Sequence, residues 1–151
     1  MKRRRAPRRC AAVSVETAVI LPLTFFLVLA LYIGANGIFR YQEVATLARE
    51  GARYGSTHGY QARKDAGLPA GTADDWSRDI YNNGVTPFIA NLDPAGLSCQ
   101  CAWPDVVNQP GKPDNWPGSK VEVTVTYQWF PELILIGPIT LTSTSSMPIT
   151  N

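Results

Sequence analysis

Apolar residues are massed in one stretch near the amino end and spread by periodicity everywhere after it. Residues 12–39 read AVSVETAVILPLTFFLVLALYIGANGIF, and the 22 residues from 18 to 39 carry no charged side chain. A helix crossing about 30 Å of hydrocarbon needs ~20 such residues, so residues 12–39 are expected to form a transmembrane helix. A cleaved secretory signal would have a shorter apolar core and a small-residue cleavage site. Pro22 falls inside this helix, where it removes one backbone hydrogen bond and is expected to bend it. Helical spacing continues over residues 40–55. Val44, Leu47, Ala48 and Tyr54 recur every three or four positions, with Gln42, Glu43, Arg49, Glu50 and Arg53 on the other side. Glu50 and Arg53 form an i,i+3 pair of small energetic weight. The whole helix would be roughly 60 Å long at about 1.5 Å per residue, and its second half carries an apolar stripe that needs a cover. Gly55 is expected to end it, with residues 56–71 as a linker.

Residues 72–151 are expected to form a small α+β domain. Thr72-x-x-Asp75 is a capping-box signal with acids in the first turn. Trp76, Ile80, Tyr81, Val85, Phe88 and Ile89 continue a helical stripe, which Asn83-Gly84 and Pro87 divide into two short pieces. Asn-Gly is also a hairpin-turn signal. From residue 97 the period drops to two. LSCQCA at 97–102 alternates and places Cys99 and Cys101 on one face. KVEVTVTYQW at 120–129 is the clearest strand, with Val121, Val123, Val125 and Tyr127 facing one way. ITLTSTSSM at 139–147 alternates similarly and is expected to pair with it antiparallel. A proline-rich loop with two Trp-Pro dipeptides fills residues 103–119. The connection at 130–138, FPELILIGP, is apolar where hairpin loops are normally polar. Three strands with one apolar face need a cover, and the orphan stripe on residues 40–54 is the candidate. The expected fold class is therefore α+β, pilin-like: a long amino-terminal helix, half membrane-spanning and half amphipathic, packed on a small antiparallel sheet.

Charge divides the chain again. Six of the fourteen basic residues (Lys2, Arg3, Arg4, Arg5, Arg8 and Arg9) lie in the first ten, where there is no acid; the rest holds eight basic against twelve acidic residues, a net −4. An acidic tail argues against nucleic-acid binding, which needs clustered cations on one surface. Cations flanking a spanning segment stay cytoplasmic, so residues 1–11 read as a basic cytoplasmic leader and the tail as extracytoplasmic.

Candidate chemistry is sparse. There is no Gly-x-Ser-x-Gly, no paired histidine and no phosphate-cradling glycine loop, so no enzyme and no cofactor is expected. Ser, His and Asp occur without a spacing that would organise a hydrolase. Three cysteines are no disulfide framework. Cys99 and Cys101 read as a strained two-apart disulfide, as two free thiols or as an intermolecular link. A metal site is disfavoured, because His58 is the one histidine and no second thiol pair exists. Asp74, Asp75 and Asp79 fit helix-start acids better than a calcium loop. Trp103 and Trp116 read as the roof of a core ahead of carbohydrate platforms. Leu133, Ile134, Leu135 and Ile136, in the apolar connection, either contact a bilayer or partner or fold back over the core. Glu16 is a carboxylate at the edge of the apolar phase, costly there unless partnered. It is either an assembly element or a group solvated at headgroup depth.

Arg8-Arg9 with Ala12-Val-Ser-Val-Glu16-Thr-Ala-Val-Ile-Leu-Pro22, then Ala48-Arg-Glu-Gly-Ala-Arg-Tyr54, resembles the TadE-like family of minor pilins, or pseudopilins, of tight-adherence (Flp-type) pilus systems. Val121-Glu-Val-Thr-Val-Thr-Tyr127, the apolar loop and Leu141-Thr-Ser-Thr-Ser-Ser-Met147 resemble that family's closing hairpin. The likeness covers roughly half the chain, over residues 8–55 and 120–147. It implies a bacterial inner-membrane, non-catalytic subunit whose partners are the membrane, other pilin subunits, pilus assembly proteins and a prepilin peptidase. The implied scissile bond is Ala11–Ala12, which leaves Glu16 at the fifth mature position. The family usually has glycine where this chain has Ala11. The new amine on a neighbouring subunit's Ala12 would then neutralise Glu16 and set helix register. A membrane-anchored extracytoplasmic binding module unrelated to pili is the competing class.

Overall fold

The computed structural model describes residues 9–67, 71–104, 115–131 and 137–150. The fold is α+β, a long amino-terminal helix packed on a small three-stranded antiparallel sheet. Helix α1 is Arg9–Thr57, and it continues through Pro22. The chain divides into two compact units at Gly37/Ile38. The first holds the apolar half of α1; among the described residues α1 is the one helix long and apolar enough to cross a membrane.

The second unit is built on the other half of α1. Strands β1 (Leu97–Ala102), β2 (Lys120–Trp129) and β3 (Ile139–Pro148) lie in the order β1-β2-β3, both pairs antiparallel. The period-two pattern of β2 decides which face is inside: Val121, Val123, Val125, Tyr127 and Trp129 are buried. Register places Val125 between Cys99 and Ser143, and Tyr127 between Leu97 and Leu141. On the outer face hydroxyls pair across the strands, Thr124 with Thr144 at 2.9 Å and Thr126 with Thr142 at 3.3 Å.

Residues 44–56 of α1 cover the inner face, as the orphan stripe requires. Val44, Leu47, Ala48 and Ala52 are wholly buried, each large apolar side chain contributing about 1.5–3 kcal/mol by leaving water. The stripe differs from expectation at its far end. Tyr54 lies to the side, and small residues take the contact instead. A β-carbon on Gly51 would stand 3.0 Å from Val85 Cγ2 and 3.1 Å from Val123 Cγ1. Helix and sheet approach closely because that position has no side chain.

Gly55 does not end α1, which runs to Thr57. The carbonyl of Ser56 in its last turn is satisfied from the far end of the chain, by the Thr150 N–H at 2.9 Å and the Thr150 hydroxyl at 3.1 Å. Residues 56–71, read as a linker, contain helix α2 (Tyr60–Asp65), tied down by the Tyr60 N–H donating to Asn115 O at 3.0 Å. Periodicity over six residues is too short a signal to have marked it.

Helix α3 (Ala73–Asp79) starts with the expected capping box, reciprocal between Thr72 and Asp75. Beyond it the chain forms no hairpin and stays helical through Asn83-Gly84. Ile80–Val85 continues as a π-helical turn and Thr86–Phe88 as a 3-10 turn. The wider turn brings Gly84 against α1, where a β-carbon would meet Tyr54 Cβ at 2.7 Å and Gly51 Cα at 3.3 Å. Asn83-Gly84 therefore marks a close backbone approach between two helical segments.

Candidate functional site

Among its described residues the amino-terminal unit is a single helix. Its large apolar residues are exposed, from Val13 (61 %) through Phe26 (63 %) to Leu31 (66 %). Its neutral polar side chains turn back on the helix. The Thr17 hydroxyl donates to Val13 O at 2.8 Å, Thr24 to Ile20 O at 2.9 Å, and the Asn36 amide to Tyr32 O at 3.2 Å. Such back-bonding removes polar hydrogens from an apolar surrounding. Glu16 is exposed, and a carboxylate has no hydrogen to return to a carbonyl. No hydrogen bond or ion pair joins it to another described residue. Pro22 withholds the N–H that Ala18 O would otherwise receive. Beside it a shallow notch opens between Ser14, Thr17, Ala18, Leu21 and Pro22. Ala11 and Ala12 fall in the first turns of α1. The unit thus offers an apolar surface, one carboxylate and a notch.

The second unit holds the cysteines on one face of β1, opposite Val125 and Val123. Both are free thiols, each half-buried. The thiols share a hydrogen bond. It lets Cys101 release its proton more easily than a lone thiol, with burial opposing and the Ser77 hydroxyl assisting, and it raises Cys99, which burial raises further. Among the described residues no group of three metal-ligating side chains gathers. Leu133, Ile134, Leu135 and Ile136 lie outside the described residues.

Several contacts escaped sequence reasoning. Glu43, placed on the polar side of α1, accepts two backbone N–H groups on one oxygen, from Ala90 at 3.0 Å and Asn91 at 2.7 Å. Its partners are backbone groups nearly fifty residues away, so no local pattern could have announced them. One helical turn earlier, the Arg40 guanidinium lies 5.9 Å from the Trp129 ring centre and donates to Asn91 O at 3.5 Å. His58 stacks on Tyr54 with ring centres 4.0 Å apart. Burial and then the nearby Asp79 carboxylate, 3.5 Å from the hydroxyl, raise the Tyr54 phenol above its ordinary value. Trp116 packs near Tyr60 at 5.6 Å, and Arg63 covers the buried Trp76 ring at 4.7 Å. The one pair here that the sequence announced, Glu50 with Arg53, approaches to 3.9 Å on an exposed surface, where such a pair contributes little.

No protein-family model, no curated protein and no solved structure matches this chain.

Proposed function

We propose that this protein is a non-catalytic, membrane-anchored subunit of a tight-adherence (Flp-type) pilus or a related secretion assembly, a TadE-like minor pilin. On this reading the apolar half of α1 spans the bacterial inner membrane with the amino terminus cytoplasmic and the α+β unit outside, and it associates there with other pilin subunits. The observation that carries the reading is the division of labour along α1. One half exposes an apolar surface with a single carboxylate, Glu16, and the other half is the spine of a folded unit.

Physical chemistry supports an intermolecular role for Glu16. A carboxylate at the margin of hydrocarbon is stabilised by a cation. Cleavage between Ala11 and Ala12 by a prepilin peptidase would supply one as the amine of a neighbouring subunit. Glu16→Ala is expected to leave expression, membrane insertion and the fold of the second unit intact and to abolish co-purification with other pilus components. Unchanged co-purification overturns the assembly role.

Ala11, standing where the family usually has glycine, favours a second reading as an unprocessed single-pass anchor for an extracytoplasmic binding module. Amino-terminal sequencing of the membrane-bound protein separates the two. A start at Ala12 is the result expected of the pilin subunit, and a start at Met1 that of the anchored module.

A further inference from the structure

The second unit carries a cleft of about 380 Å³ lined by Arg40, Asp93, Gly96, Tyr127, Trp129 and Phe130, within the size range of small-ligand sites. Its floor is made by the β2 residues Tyr127 and Trp129, both nearly buried, while Phe130 at its lip is 67 % exposed. Arg40 reaches in from α1. Its guanidinium is oriented by the Trp129 ring and by Asn91 O, and a guanidinium has five N–H donors. Asp93, which caps the short 3-10 turn Pro94–Gly96, also lines the cleft, with Oδ1 accepting the Ala95 N–H at 3.0 Å. Arg40 and Asp93 form no ion pair with each other. The cleft therefore presents one charge of each sign beside an aromatic floor.

Its position says what could fill it. Arg40 is the first charged residue after the uncharged run of residues 18–39. Its neighbours Ile38, Phe39 and Tyr41 are exposed at 63, 56 and 48 %. Aromatic and basic side chains in that sequence position belong at headgroup depth.

We infer that this cleft binds the headgroup of a zwitterionic phospholipid, its phosphate on Arg40 and its ammonium toward Asp93 and the aromatic floor. The inference rests on the reading that the apolar half of α1 spans the membrane. A cleft lined by arginine alone would select anionic lipid, whereas Asp93 turns the preference toward headgroups that carry their own cation.

The test uses the full chain in vesicles containing equal amounts of phosphatidylethanolamine, phosphatidylcholine and phosphatidylglycerol. Membrane insertion is read by resistance to alkaline carbonate, and retained lipid by native mass spectrometry. The inserted wild-type chain is expected to retain phosphatidylethanolamine and phosphatidylcholine over phosphatidylglycerol. Arg40→Gln should lower retention of both about tenfold, the loss of one charge-assisted contact. Asp93→Asn keeps the acceptor for the Ala95 N–H and should abolish the preference over phosphatidylglycerol. Arg53→Gln, far along α1, should change nothing, and thermal melts check that each variant is folded. Equal retention of the three lipids by an inserted chain, or retention indifferent to Asp93→Asn, overturns the headgroup inference alone. A chain that carbonate extracts overturns the spanning reading as well.

Discussion

The two halves of α1 share a backbone conformation and little else. Up to Gly37 apolar side chains occur on every side of the helix, and nearly all are exposed. From Val44 on, the apolar residues gather on one buried stripe, and that stripe is made small enough to accept a sheet. A helix apolar all round has no preferred face and needs an apolar solvent or apolar neighbours. A helix with one stripe chooses its own partner. The difference teaches that helix formation carries little information about role here. The angular distribution of Leu, Val and Phe in one half, and the placement of Ala and Gly in the other, carry most of it.

The sharpest way to break this comparison is to make the same truncation in each half. Leu47→Ala empties a fully buried position and should cost the α+β unit about 3 kcal/mol, read by denaturant unfolding through its tryptophans. Leu27→Ala removes a side chain that is 58 % exposed and should shift that transition by no more than about 0.5 kcal/mol. Equal losses would mean the halves are not distinct.

Filling is expected to cost somewhat less than emptying. Gly51→Val drives methyl groups into Val85 and Val123 and should destabilise the same unit by about 2 kcal/mol. Gly34→Val, in the apolar half where nothing stands within 4 Å of the added carbon, should leave that unit's melt in place. Smaller still is the helix cap. Thr72→Ala removes the capping box of α3 and should cost about 1 kcal/mol.

The cap also has a pH signature. The Thr72 N–H and then its hydroxyl, at 2.9 and 2.8 Å from Asp75 Oδ2, hold the Asp75 carboxyl below its ordinary value of 3.8. A carboxyl lowered on folding adds stability that is complete above that ordinary value and is lost as pH falls through the lowered one. Protection from hydrogen exchange at residues 72–76, measured relative to intrinsic exchange at each pH, should therefore be flat above pH 3.8 and fall only in stronger acid. Asp75→Asn should remove the pH dependence. The mildest expectation concerns the thiols: mass spectrometry after brief alkylation should find Cys101 modified ahead of Cys99, because their shared hydrogen bond eases ionisation of the first and opposes that of the second.

Much of this architecture was legible residue by residue. Period two in β2 marks its inner face, since alternate residues on a strand must point opposite ways. Thr72 and Asp75 announced the start of α3 because a cap is a contact three residues long. The uncharged run of residues 18–39 announced a helix able to span a membrane, and Glu16 stood out beside it by chemistry alone. Local pattern was weaker where the partner is distant. Asn83-Gly84 reads as a break or a turn and Gly51 carries no separate signal, yet Gly51 and Gly84 are the places where two helical segments touch. His58 had no visible partner until Tyr54 stacked on it.

The sequence by itself determined the long helix, the start of α3 and the three strands, the apolar face of β2, and the change along α1 from an apolar surface all round to a single stripe. All of this comes from periodicity, capping and charge, which are properties of residues a few positions apart. Only the tertiary structure decided that the Glu43 carboxylate holds the backbone of Ala90 and Asn91. It alone made Arg40 and Asp93 line one cleft and closed the end of α1 with Thr150. Those pairings join residues roughly fifty to ninety-four apart. Their identity depends on how sheet and helix dock, and the short-range forces that shape each element do not carry it.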